Sequence, residues 1–139
     1  MTNEEKVKLN KIFNDNKGWP LLIEGVSAKN FPHSVVISAD IDSACLGVVP
    51  GETGLKYPSW VMQLNILSKK TDRVVLVIDQ LDSVSQDEQE KFYGIVKYSK
   101  INGYSFPKST QIIITVSKGG IDKISTRLKS LTIPYKVAE

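Results

Sequence analysis

The chain has 139 residues, 41% hydrophobic and 24% charged, with a formal net charge of +3 at pH 7. That length suits one domain with a sizeable core, and so small a charge does not demand nucleic acid or an anionic membrane as partner. No apolar run approaches the roughly 20 residues that span a bilayer, and a single Cys45 and a single His33 exclude an internal disulfide and a zinc-type cluster.

Residues Met1 to Lys8 are charged rather than apolar and make no signal peptide, so cytoplasm is the expected location. Thr2 and Glu5 are spaced for a capping box. With Val7, Leu9, Ile12 and Phe13 they predict an amphipathic helix over residues 3–16, ending before Gly18. Pro20 to Glu24 reads as a short buried strand, closed by Gly25, and Ser34 to Ala39 as the next strand. Residues 40–57 show little periodicity around Pro50, Gly51 and Gly54 and read as a loop; Cys45 reads as a small buried residue. Pro58 suits the first turn of a helix that Trp60, Val61, Leu64, Ile66 and Leu67 carry to about Lys69.

The stretch from Val74 to Ile78 is apolar and mostly β-branched, the pattern of a strand buried on both faces. It ends abruptly in Asp79, Gln80 and Asp82, at the strand end where open α/β sheets place their ligands. Ser85 and Glu88 are spaced for a second capping box, and Phe92, Tyr93, Ile95 and Val96 keep helical spacing as far as Ser99. Asn102-Gly103, flanked by Ile101 and Tyr104, predicts a small hairpin. Gln111 to Val116 is another buried strand, ended by Gly119-Gly120. Ile121, Ile124 and Leu128 mark a short helix, and Thr132 to Val137 a last strand. Strands alternating with helices predict an α/β sandwich with a mostly parallel sheet, one domain over residues 1–139.

The order of these features resembles an AAA+ module over roughly residues 34–137. The matching pieces are Leu46-Gly47, then Tyr57-Pro58-Ser59-Trp60 opening a helix, then a Walker B-like strand ending in Asp79-Gln80. The helix after Ser85, the hairpin near Gly103 and a sensor-1-like strand ending at Ser117 follow in family order. Thr126-Arg127-Leu128 and Ser130-Leu131-Thr132 fall where such modules carry their arginine-finger segment. The likeness is nearest the MoxR-like branch, with some clamp-loader-subunit character. It implies a three-layer, P-loop NTPase-like fold, here expected to lack both the P-loop helix and the helical lid.

The resemblance also implies roles that this chain fills only partly. Asp79 stands where the family holds magnesium through water. Gln80 replaces the Glu that polarises the attacking water, and an amide can orient a water but cannot take its proton as a carboxylate can. Ser117 stands at a sensor usually occupied by Asn. Arg127 lies near the trans-acting arginine, but Leu131 breaks the clamp-loader pattern. Where the family has G-x-x-x-x-G-K-[ST], this chain has Gly25-Val26-Ser27-Ala28-Lys29-Asn30, without the second glycine or the Gly-Lys pair. Only residues 26–33 join the two strands, whereas a parallel crossover usually takes a dozen or so residues; a rewired sheet is the expectation there. Pro50 to Lys56 imitates a phosphate loop, but Leu55 parts Gly54 from the lysine, and it reads as a surface loop.

Two functions follow. The first is a non-catalytic AAA+-like interaction or scaffolding domain, without cofactor or metal, in which Asp79, Gln80, Ser117 and Arg127 are vestiges. Its partner would be another protein or a second copy of itself. The second is a nucleoside triphosphatase using Mg-ATP, with Gly25, Lys29 or Lys56 as phosphate contacts and Asp79 at the metal. Nucleic-acid binding through Lys118, Lys123, Arg127, Lys129 and Lys136 is a weaker reading; a solvated surface explains those charges.

Overall fold

A computed structural model of the chain describes residues 2–47, 49–51 and 54–137, with the side chains of 49–51 and 54–56 outside that description. The two most apolar runs become the middle of the sheet. They are β5 (Val74–Asp79) and β8 (Thr110–Val116), paired in parallel from Val74↔Thr110 to Ile78↔Ile114. Around them lie β1 (Leu21–Glu24), β2 (Ser34–Ser38) and β9 (Ile133–Lys136), giving the order β2-β5-β8-β1-β9. Every pairing in this sheet is parallel.

The two-residue period of a strand sends alternate side chains to opposite layers. Leu22, Val35, Ile37, Leu76, Ile78, Ile112 and Ile114 meet Trp60, Val61 and Leu64 of α3 (Ser59–Ser68). Phe92, Ile95 and Val96 join the same layer. On the other face Leu21, Ile23, Val75, Val77 and Ile113 meet Leu9 and Ile12 of α1 (Asn3–Asp15). This is the expected three-layer sandwich with a mostly parallel sheet.

The capping box of α1 forms, with Thr2 N–H donating to Glu5 at 3.0 Å and Glu5 N–H to Thr2 at 3.1 Å. At the far end of α1 the guanidinium of Arg73 stacks on Phe13 at 3.5 Å and donates to the Phe13 carbonyl and to Asn14. It thereby satisfies acceptors that every helix C-terminus leaves open. Arg73 also donates to the side chain of buried Gln111, which donates in turn to the carbonyls of Asn16 and Trp19. Burial lowers the Arg73 pKa from its ordinary value.

Residues 40–57 depart from the expected loop. Asp42 accepts from Ala44 N–H and opens one helical turn, α2 (Ser43–Leu46). It is followed by an antiparallel hairpin of β3 (Val49–Gly51) and β4 (Gly54–Lys56). Elements this short carry no readable period. Leu46 takes the buried place on α2, so Cys45 is exposed rather than buried. Pro58 is the N-cap of α3 and not part of its first turn.

The helix after Ser85 is broken into α4 (Gln86–Gln89), a 3-10 turn at Glu90–Phe92 and α5 (Tyr93–Tyr98). The hairpin at Asn102-Gly103 forms between β6 (Lys100–Ile101) and β7 (Tyr104–Ser105). The single helix expected around Ile121 and Leu128 is a 3-10 turn at Gly120–Lys123 and then α6 (Thr126–Lys129). Extended Ser125 separates them and caps α6.

The connection from β1 to β2 is as short as the sequence demands, yet the sheet is not rewired. Residues 25–33 carry one 3-10 turn, Ala28–Asn30, and pass β8 and β5 to reach the edge. Three strand spacings are about 14 Å, within reach of nine residues of extended chain, at most about 30 Å. No helix forms in this link. Instead α1, which precedes β1 in the chain, covers that face of the sheet, with Val26, Ala28 and Phe31 filling the gap beside it. No helix among the described residues is long and apolar enough to cross a membrane.

Candidate functional site

The carboxyl ends of the five parallel strands bring most of the candidate residues to one edge. Asp79 ends β5 on the α1 side of the sheet and is half-buried. Thr115 of β8 donates its hydroxyl to Asp79 Oδ1 at 2.9 Å and accepts the Gln80 N–H at 3.0 Å. Gln80 is left-handed, with φ of 56°, a conformation uncommon outside glycine. It turns the chain sharply out of the strand. Thr115 therefore ties down the Walker B-like corner from the neighbouring strand.

Ser117 lies just past the end of β8, two residues beyond Thr115, and is engaged elsewhere. Its N–H donates to Asp82 Oδ1 at 3.2 Å, and its hydroxyl donates to the same carboxylate. Gly120 makes room for this arrangement, because a Cβ there would come 2.5 Å from Asp82 Oδ2. Asp82, which the sequence suggested merely as part of a strand end, is thus the acceptor that organises the turn after β8.

Gly25 follows β1 with φ of 85°, and its N–H donates to the Val116 carbonyl at 3.0 Å. Beyond it the N–H of Lys29 donates to Ser27 Oγ, that of Asn30 to the Ser27 carbonyl, and that of Phe31 to the Ala28 carbonyl. Four amides of the segment are spent inside the chain. A cleft of about 340 Å³ lies beside it, lined by Glu5, Gly25, Val26, Ser27, Lys29 and Asn30. The Lys29 side chain is exposed at this cleft, and Asp79 does not line it. Glu5 brings a carboxylate to the same cleft, and hydrogen bonds from the Thr2 backbone and side chain lower its pKa from the ordinary value. The positive end of α1 does reach this edge, but its own Glu4 and Glu5 occupy the first turn.

Arg127 lies apart from the sheet edge. It pairs with Glu90 at 2.9 Å and stacks over Tyr93 at 4.0 Å, an arrangement within the chain. Lys136 faces the buried carboxylate of Glu24 at 3.7 Å, while Lys118 and Lys123 are exposed. The backbone of Lys56 ends β4, and its side chain lies outside the described residues. The Pro50–Lys56 imitation of a phosphate loop is the β3–β4 hairpin, with no strand of the main sheet leading into it. Among the described residues no group of three or more His, Cys, Asp and Glu could hold a metal ion. Of the groups expected at a magnesium-nucleotide site, Asp79 has Oδ1 engaged by Thr115, with no further hydrogen bond to its carboxylate among the described residues.

Sequence reasoning named Asp82 only as a strand-end group and missed Thr115, Glu24 and Gln89. Gln89 is buried and joins α4 to the chain entering α6: it donates to the carbonyls of Val84 and Lys123 and accepts from Ser125 N–H at 2.8 Å. Thr115 had one visible signal, a hydroxyl following the apolar run Ile112–Ile114.

No family model matches this chain, and no curated protein does either. Solved structures do. A DNA polymerase III gamma subunit-related protein from Thermotoga maritima aligns with a TM-score of 0.51 at 13% identity, over 97% of this chain and 46% of that one. NtrX from Brucella abortus aligns with a TM-score of 0.60 at 13% identity, over 99% of this chain and 37% of that one. The chain spans less than half the length of each. At this identity the likeness is one of fold: an α/β, P-loop NTPase-like sheet with flanking helices.

Proposed function

We propose that the chain is an AAA+-like interaction or scaffolding module of the cytoplasm, closest in motif order to the MoxR-like branch, that has given up nucleotide chemistry. The observation that carries this reading is the segment after β1. A triphosphate brings about four negative charges, and binding must replace their hydration with converging N–H donors, a lysine and magnesium. Here Gly25 N–H is spent on the sheet, and Val26, Ala28 and Phe31 are packed beside α1 as part of the core. The segment is used as a wall between layers rather than as a cradle. The engagement of Asp79 by Thr115 and of Arg127 by Glu90 supports the same reading.

The cleft beside Gly25 and Lys29 favours a second reading, a nucleoside triphosphatase with an unusual phosphate loop. There the lysine would meet the phosphates and Asp79 the magnesium. Isothermal calorimetry with Mg-ATP at millimolar concentration separates the two. The interaction module gives no saturable heat. Micromolar binding that Asp79→Ala abolishes would overturn it in favour of the triphosphatase.

A further inference from the structure

The two edges of the main sheet are unlike each other. At one edge β9 carries Pro134, which has no N–H to donate, and an exposed Lys136, both common ways of keeping an edge from pairing. At the other, β2 reads Ser34-Val35-Val36-Ile37-Ser38, without proline or charge. The uncharged run extends from Phe31 to Ala39. Val75 N–H donates to the His33 carbonyl and Ala39 N–H to the Asp79 carbonyl. The alternation of a strand then turns the backbone groups of Ser34, Val36 and Ser38 outward. Among the described residues no strand pairs with that side. Val36 is 48% exposed, on the face that α3 does not cover.

We propose that β2 is the self-association edge of this protein, pairing antiparallel with β2 of a second copy about a two-fold axis through Val36. The segment is self-complementary in the way such an axis requires. Val36 meets Val36 of the other copy, Ser34 meets Ser38, and Val35 meets Ile37, so like meets like along the strand. The outward residues Ser34, Val36 and Ser38 are the ones that become hydrogen-bonded pairs, and the two sheets join into one continuous sheet. Polarity agrees at the flanks, where a neutral imidazole can donate to a carboxylate. The register sets exposed His33 of one copy opposite Ala39 of the other, next to exposed Asp40, and does so at both ends.

This deepens the interaction reading and rests on it for the existence of a partner, but its failure is separable. Calorimetry with Mg-ATP tests the loss of nucleotide chemistry, whereas sedimentation and cross-linking test the edge. Sedimentation equilibrium of the intact protein over a concentration series is expected to rise from monomer to dimer mass. Val36→Lys sets two ammonium groups beside each other on the axis and should leave a monomer of unchanged melting temperature. Val36→Pro removes an outward N–H without touching the bonds to β5 and should also leave a monomer. In a Cys45→Ser background, Val36→Cys should give a disulfide-linked dimer on mild oxidation, since paired Cα atoms lie about 5.5 Å apart. Ser34→Cys should not, because its own mate lies about four residues, roughly 13 Å, along the strand. A protein monomeric throughout the series, a dimer that survives Val36→Lys, or equal cross-linking at positions 34 and 36 would each overturn the proposal.

Discussion

Thr115 carries more of the strand-end geometry than its side chain suggests in the sequence. Its hydroxyl serves Asp79 as donor and Gln80 N–H as acceptor, so one small group satisfies the carboxylate and the strained amide together. Valine has nearly the same shape and can do neither. Thr115→Val should cost about 1–3 kcal/mol, the range for losing a partly buried hydrogen bond to a charged group, read as a lower midpoint in urea at unchanged slope. An unchanged midpoint would mean that water replaces the hydroxyl. At this scale the sequence was legible where the chemistry was local. Thr2 and Glu5 sit three apart and cap each other, as expected. It was not legible where the partner came from a distant strand or turn: Ser117 and Asp82 are 35 residues apart, and Arg127 and Glu90 37. Cys45 was misread because residue type alone does not say which side of a single turn faces water.

Elements long enough to show a period were recovered. α1, α3 and the five strands of the main sheet fall close to their expected places, because burial on one stripe or on two faces leaves a countable pattern. α2, the β3–β4 hairpin and the break at Ser125 span too few residues to show one. The β1–β2 link was misjudged for another reason. A parallel crossover is long when it must carry a helix for its own face, and here α1 already supplies that helix from upstream. Packing of α3 gives the test at this scale. Trp60 is 7% exposed and meets Phe106 edge-on at 5.8 Å between ring centres. It thus joins the start of α3 to the chain leaving β7. Trp60→Ala should cost about 3–5 kcal/mol, the range for truncating a large buried aromatic, seen as a fall in unfolding free energy. Loss of less than about 1 kcal/mol, the range of surface substitutions, would show that the neighbours close over the gap and that Trp60 does not anchor α3.

The whole molecule shares an α/β fold with its structural neighbours and fills the space beside β1 with Val26, Ala28 and Phe31. This bears on what a single substitution would do if nucleotide chemistry is absent, as proposed above. Gln80→Glu would return a carboxylate to the position that prepares the attacking water. Water preparation, however, acts only on a phosphate already held. Holding it requires N–H groups that here go to Val116, Ser27 and Ala28, and a lysine, whereas Lys29 shares its cleft with the Glu5 carboxylate. A second carboxylate beside Asp79, which makes no ion pair among the described residues, also adds negative charge, so it repels a triphosphate. Gln80→Glu should therefore fold as the parent does and release no phosphate from Mg-ATP above the protein-free rate. Turnover in that variant, lost again on Asp79→Ala, would mean that the phosphate grip survives in the cleft beside Gly25 and that the interaction reading is wrong at its centre.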